Sequence, residues 1–309
     1  VRQARHYLHP YREDRRAIVQ DAAAFAGLRI PFLLPRRRVP GSVWACSMVR
    51  DEVDIIDVTL DHLLRQGVDH VLVADNGSVD GTLERLRDRA RTNERVHVAV
   101  DREGRFFQSA KMTRLAQAAA LAGADWIVPF DADELWFAPD TTLAAHLAGT
   151  SANQVTAAMF NAVPRHGNDV GSAGYLLDSR STGWNKVAFR AHPLARLEFG
   201  NHAVARVGER EAGLFIAHVA YRSADHLRRK LMQGAAAVES IGINDGNCYH
   251  WRWGAKLDEA TLNEVWQNVA SGRPDPRIDW LGLSDPQEAA LRTWRQWEGT
   301  PRQPQADLV

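Results

Sequence analysis

From residue 42 onward, short apolar runs alternate with stretches whose apolar residues recur at helical spacing. SVWACSMV at 42–49 is almost wholly apolar, the pattern of a strand covered on both faces. DEVDIIDVTLDHLLRQG carries apolar residues at helical spacing and stops at Gly67. VDHVLVADNGSVDG predicts a second strand running into a polar, glycine-containing turn. TLERLRDRA then reads as helix, RVHVAV as strand, QSAKMTRLAQAAALAG as a long helix ending near Gly123, and ADWIVPF as a short strand. This βαβαβαβ succession predicts an α/β fold with a mostly parallel sheet flanked by helices, where ligands bind at the carboxyl ends of strands.

Residues 1–41 read as an N-terminal extension: a basic and aromatic opening, a short helical run RAIVQDAAAFAGL, then PFLLPRRRVPG, whose prolines end regular structure. Arg36, Arg37 and Arg38 read as a solvated linker or as a contact for an anionic surface. The later half is less regular. QVTAAMFNAVP, GWNKVAFR and GLFIAHVAYR predict strands, separated by a loop-like RHGNDVGSAG. SADHLRRKLMQGAAAVES predicts a helix with Ser223 as its N-cap. NCYHWRWG is open between a nucleic-acid platform, a sugar-stacking wall and core packing. Residues 240–309 read as a helical extension, with a helical LDEATLNEVWQNVAS, a Pro-rich region ending in a further short helical segment, and a frayed tail. No internal repeat is present.

Composition narrows the class. The chain has 309 residues, 45% hydrophobic and 25% charged, which predicts a soluble globular protein. Lys plus Arg and Asp plus Glu both number 38, so the zero net charge gives no support to a broad nucleic-acid face. Cys46 and Cys248 form no CxxC pair, so neither thiolate zinc nor a disulfide framework is expected, and the economical location is a reducing cytoplasm. No run approaches the roughly 20 apolar residues of a membrane span, and the opening lacks the apolar core of a secretory signal.

The candidate chemistry gathers at three strand ends: VRDE at 49–52, ADNGSVDGT at 74–82, and DADE at 131–134. Asp131 and Asp133 flank one residue, so in an extended turn both can face one side and hold a cation together with substrate phosphates, which suits Mg2+ or Mn2+. The same acids could equally form a solvated cap. Asp75 can accept a hydrogen bond from a base or ribose, or serve only an Asx turn. His218 can complete a manganese site or sit as a core histidine. Arg222, Arg228, Arg229 and Lys230 can meet phosphate oxygens or solvate a helix. G-x-S-x-G, H-E-x-x-H, the dinucleotide glycine pattern and the P-loop are all absent.

In this order and spacing, VRDE, ADNGSVDGT and DADE resemble the family 2 glycosyltransferases of the GT-A fold, and HVAYRSADHLRRK resembles the H-x-x-Y/F-R-S segment of one subgroup. The resemblance covers about residues 42–235. It implies a Rossmann-like catalytic domain over 42–239, divided into a nucleotide-sugar half (42–135) and an acceptor half (136–239). It implies that Met48, Val49, Arg50 and Glu52 line the nucleotide pocket and that Asp75 contacts the base. Asp131 and its neighbour Ala132 would face the ribose or donor sugar, and Asp133 would bind the Mn2+ or Mg2+ that bridges the diphosphate, with His218 joining the metal or phosphate site. Lys111 and Arg114 would be donor contacts. The implied partners are a UDP, GDP or dTDP sugar and a hydroxylated small molecule or saccharide, transferred with inversion; a homodimer is left open. The Glu-Asp pair from which relatives take their base is not apparent. Asp169, Asp178, Glu198 and His202 are the local options, Asp169 first and His202 next. Tyr175, Trp184 and Arg222 are assigned to the acceptor side, where Tyr175 and Trp184 could pack on a sugar ring or serve the core. A nucleotidyltransferase and a non-catalytic sugar- or nucleotide-binding protein are the alternatives.

Overall fold

The computed structural model describes residues 7, 16–31, 34, 38–164, 175–240, 249–284 and 286–289. The chain forms two compact units and passes between them more than once: the first holds Val1–Met159 and Gly183–Ile216, the second Phe160–Thr182 and Ala217–Val309.

The first unit opens with helix α1 (Arg16–Gly27) and the short strand β1 (Leu28–Arg29). The predicted alternation follows as β2 (Val43–Val49), α2 (Ile56–Arg65), β3 (His70–Asp75), α3 (Thr82–Thr92), β4 (Val96–Asp101), α4 (Gln108–Ala122) and β5 (Trp126–Pro129). β2 pairs in parallel with β3 and with β5, and β3 with β4, so four strands present their carboxyl ends along one edge. β1 closes the outer side antiparallel to β4. Next come β6 (Glu134–Phe137), α5 (Leu143–Gly149), β7 (Gln154–Pro164), β8 (Tyr175–Arg190), the two-stranded β9 (Arg196–Leu197) with β10 (Val204–Ala205), and β11 (Arg210–His218). Among the described residues the main sheet has the order β1-β4-β3-β2-β5-β8-β7-β11-β6, with β8 antiparallel to β5. It is therefore a mixed, mostly parallel α/β arrangement of the GT-A, Rossmann-like kind.

Burial explains why these runs are strands. Six of the seven residues of β2, five of the six of β3 and all four of β5 are buried, so they read as apolar runs and not as an alternation. α4 ends where Gly123 takes a left-handed conformation (φ 107°) and the Ala124 N–H donates back to the Ala119 carbonyl. α2 fixes what lies beneath the sheet's edge: the Thr59 hydroxyl donates to the Ala132 carbonyl at 2.5 Å, and His62 Nε2 bonds the Trp136 carbonyl at 2.7 Å. Burial lowers the His62 pKa to about 4, so this contact holds a neutral ring.

The second unit packs α6 (Ala224–Ser240), α7 (Tyr249–Gly254) and α8 (Glu259–Ala270) around Leu227, Leu231, Leu262, Val265, Val269 and Trp280. Ser223 caps α6 as expected, its hydroxyl accepting from the His226 N–H at 3.1 Å. Within NCYHWRWG, Trp251 packs so closely over Gly234 that a methyl there would lie 2.4 Å from its ring, a core role, whereas Trp253 is exposed. The tail differs from expectation. Pro286–Ala289 is a strand, β12, pairing antiparallel with Tyr175–Asp178, where the Pro-rich region was expected to end in a helical segment. Asp178 explains the pairing: its carboxylate accepts from the Ser284 N–H and hydroxyl and docks the chain just before β12.

Candidate active site

The parallel register puts Val49 beside Asp75 and Cys46 beside Pro129, so the segments that follow β2, β3 and β5 lie together at one edge. The first two are laced to each other. Asp51 holds a left-handed backbone (φ 56°); its N–H donates to Ser78 Oγ at 2.9 Å while its carboxylate accepts from the Val79 N–H at 2.7 Å. The Glu52 N–H donates to Thr82 Oγ1. Asp75 is buried. One oxygen accepts from the Gly77 and Ser78 N–H groups at 3.1 and 3.2 Å, which is the Asx turn, and the other is buried without a hydrogen-bond partner. A buried carboxylate oxygen left unpaired is costly unless something fills its place. Val49 is buried, Met48 and Glu52 are half-buried and Arg50 is exposed, its guanidinium 3.8 Å from Asp51.

After β5 the chain makes the acidic turn. Ala132 and Asp133 are buried, while Asp131 keeps part of its carboxylate in solvent. Glu134 is buried. Its carboxylate accepts from the Asp131 N–H at 3.1 Å and from the Trp136 indole at 3.3 Å, closing the turn on itself. The cation of this turn is a residue sequence reasoning missed. Lys186 on β8 is buried, with its ammonium 2.8 Å from Asp131 and 2.9 Å from Glu134. The antiparallel pairing of Trp126 with Arg190 and Ile127 with Phe189, continued along β8, sets Lys186 across from Phe130. Burial works against the charge of Lys186, but Asp131 and Glu134 outweigh it and hold the pKa above the usual lysine range. Burial lifts the Glu134 pKa against the pull of Lys186, helped by the charges of Asp131 and Asp133.

A second buried lysine, from the first turn of α4, reaches the end of β4. Lys111 Nζ lies 2.6 Å from Asp101 and donates to the Glu103 and Arg105 carbonyls at 2.5 and 2.7 Å. All three ammonium hydrogens thus have acceptors within the protein. Asn76 joins the same knot through its amide to Asp101. Arg114 lies on the α1 side of α4, its guanidinium 4.8 Å from the centre of the Phe25 ring.

Beside the acidic turn stands His202. Its Nδ1 is 2.7 Å from the Asn185 carbonyl, which can only accept, so Nδ1 carries the hydrogen and Nε2 keeps its lone pair. Burial, with the charge of Lys186, lowers its pKa against the opposing pulls of the Asn185 carbonyl and Asp131, which keeps the ring neutral at pH 7. The imidazole fits only because residue 200 is glycine: a methyl there would lie 2.6 Å from Nε2. Trp184 is 64% exposed and tilts over the imidazole at 5.1 Å. Next to it, Asn201 is fully buried in a left-handed conformation (φ 59°), with both amide atoms unpartnered.

The first unit thus brings together Asp75, Asp131, Asp133, Lys186, His202 and Trp184. Tyr175, Arg222 and His218 lie in the second unit, the first two buried and His218 at the end of β11. Lys230 of that unit donates to the Ala220 carbonyl at 3.0 Å. Asp169 lies outside the described residues. Among the described residues no three His, Cys, Asp or Glu side chains stand close enough to share a metal. Asp133 with the solvent-facing oxygen of Asp131 would be a two-carboxylate set, which fits Mg2+ or Mn2+ only when substrate phosphates supply further oxygens.

An α/β sheet with acids gathered at the carboxyl ends of adjacent parallel strands defines a GT-A-like, Rossmann-like class of protein. Residues 46–190, somewhat under half of the chain, match the family described as Glycosyl transferase family 2. Among solved structures, the mannosyltransferase PcManGT from Pyrobaculum calidifontis, in complex with GDP-Man and Mn2+, is similar over 90% of this chain and 89% of that one, at 16% identity and a TM-score of 0.37. Residues 1–349 of TarS from S. aureus are similar over 74% and 73%, at 10% identity and a TM-score of 0.35. At these values neither likeness says what this chain binds. No curated protein matches the chain in sequence.

Proposed function

We propose that the protein is an inverting glycosyltransferase that moves a sugar from a nucleoside-diphosphate sugar to a hydroxyl of a small or saccharide acceptor. The observation that carries the reading is the convergence of Asp75, Asp131 and Asp133 on one edge of the parallel sheet, inside the segment that matches family 2. The unpaired oxygen of Asp75 is the acceptor for a base N–H, and the loop around Asp51 shapes the pocket wall. Asp133, with help from Asp131, would hold Mn2+ or Mg2+. When bound, the cation neutralises charge growing on the diphosphate leaving group.

Lys186 takes one oxygen of Asp131 and leaves the other for a donor hydroxyl or the cation. His202 is the proposed base: Nδ1–H is anchored on Asn185, so neutral Nε2 takes the acceptor proton as the oxygen attacks the anomeric carbon from the face opposite the diphosphate. Trp184 offers an exposed ring on which an acceptor sugar stacks. Lys111 is excluded from the donor contacts, because its donors are already used.

The test is equilibrium binding and slow donor hydrolysis across a panel of UDP, GDP and dTDP sugars, with and without Mn2+ or Mg2+. Cation-dependent binding of one donor, lost in Asp133→Ala, supports the reading. Binding indifferent to both cation and Asp133 removes the metal role. Release of pyrophosphate from a nucleoside triphosphate and a sugar phosphate would make the protein a nucleotidyltransferase instead.

A further inference from the structure

The N-terminal helix α1 is built the wrong way round for a helix that only covers a core. It buries Ala17 and Ala24 and leaves Ile18, Val19 and Phe25 56%, 63% and 65% exposed. At about 100° per residue, Phe25, Ile18, Ala22, Ala26 and Val19 fall on one continuous arc of about 120°. All five are apolar and all five are exposed. The ridge extends onto α4. β1 pairs antiparallel to β4 with Leu28 at Asp101, so the end of α1 and the start of α4 lie at the same end of the sheet and the two helices run antiparallel. Arg114 sits over Phe25, and Leu121, seven residues further along α4, is 68% exposed, level with Ile18, seven residues before Phe25. A contiguous bulky apolar face of this kind marks a surface that meets something.

Charge says what. Residues 1–41 hold nine arginines, no lysine and three acids, a surplus of six positive charges, in a chain whose total is zero. The remaining residues therefore carry a deficit of six. Arg29 is exposed at the end of α1 and Arg38 has a largely exposed side chain. We propose that the outer face of α1, with Leu121, docks on the surface of an anionic lipid bilayer. Ile18, Val19 and Phe25 enter the boundary between headgroups and acyl chains, and Arg29 and Arg38 meet the lipid phosphates. A second copy of this chain fits the face less well, since pairing it with itself would bring one basic extension against another. The attachment is peripheral: among the described residues no helix is long and apolar enough to cross a membrane.

The experiment is co-sedimentation of the full chain with vesicles of phosphatidylcholine alone and of phosphatidylcholine with about a third phosphatidylglycerol, without any nucleotide sugar. The expected result is binding to the anionic vesicles, weakened about tenfold or more on the neutral ones or in about 0.5 M salt. The variant Ile18→Gln/Val19→Gln/Phe25→Gln weakens anionic binding by about tenfold or more, with the circular-dichroism spectrum unchanged. A spin label at Ile18→Cys reports the same face independently: on vesicle addition it becomes shielded from a water-soluble relaxer and exposed to oxygen. Three outcomes overturn the proposal: no binding to anionic vesicles, equal binding by the triple variant, or a label that stays water-exposed. A dimer dissolved by the triple variant without vesicle binding would assign the face to a second copy. None of these outcomes depends on the proposed glycosyl transfer.

Discussion

Two lysines are buried near strand ends of the first unit, and they do different things. Lys111, at the end of β4, is wholly buried against an equally buried Asp101 and fills its remaining hydrogens with two carbonyls. Burial lowers its pKa, yet the pairing is one to one and closed. Lys186, beside the end of β5, faces two carboxylates with Asp133 close by, so its pKa rises and the cluster keeps surplus negative charge. One of its partners, Asp131, still reaches solvent. The closed pair fastens a loop. The open one leaves acidic charge available to a ligand while limiting the repulsion among the acids.

The largest effect that can break this contrast is on stability. Lys111→Met leaves Asp101 charged and buried, so urea unfolding should show a loss of about 3–5 kcal/mol, largely restored in Lys111→Met/Asp101→Leu. A single variant as stable as the wild type would refute the closed-pair description. Asp133→Ala should leave the unfolding midpoint nearly unchanged and lower donor-dependent kcat/KM several-hundred-fold, about 3–4 kcal/mol. Unaltered kinetics would remove Asp133 from the site. His202→Gln should reduce kcat about a hundredfold, and the wild-type rate should fall only as pH drops below the ordinary imidazole range, because the folded pKa is lowered. An acid limb that persists in the glutamine variant belongs to another group.

The smallest expected effect sharpens the comparison most. Lys186→Met should cost only about 1–2 kcal/mol near pH 7, because Asp131 is partly solvated and Glu134 can take up a proton. The sign follows from the raised folded-state pKa of Glu134: its destabilising charge is absent below the unfolded value and develops as pH rises through the folded one. The deficit relative to wild type should therefore stay small from pH 5 to 7, where Glu134 is protonated in both folded proteins, and grow as pH rises above about 8, as measured by chemical unfolding at several pH values. A deficit that grows on acidification would contradict the pairing.

The parallel half of the sheet was legible because β2, β3 and β5 are covered on both faces and so appear as apolar runs between helices. Their ends place Asp75, Asp131 and Asp133, which is why acids far apart in the chain could be grouped. Lys186 was not legible. It sits inside a strand pattern, GWNKVAFR, and its partners lie more than fifty residues earlier, so only the pairing of β8 with β5 brings them together. A lysine amid apolar strand residues was the signal that could have prompted a search for a buried acid. The helical run of α1 was legible but its orientation was not, since pattern alone turns the bulky residues inward and this helix turns its alanines inward. β12 escaped because its pairing is fixed by Ser284 on Asp178, a long-range contact that propensity does not encode.

The partnership of Lys186 with the acidic turn also limits how the chain can change in length. Between the pair Trp126–Arg190 and the lysine lie only a few strand residues, and each advances the strand by about 3.3 Å while reversing its face. Deleting one residue from 187–189 would turn the ammonium to the opposite side of the sheet and present the acids with the amide of Asn185. Deleting two would restore the face but displace the charge by about 6–7 Å, beyond reach of either carboxylate. Side chains at 187–189 can therefore be exchanged for others of similar volume, whereas the spacing cannot: here the counted distance along the strand is itself part of the site.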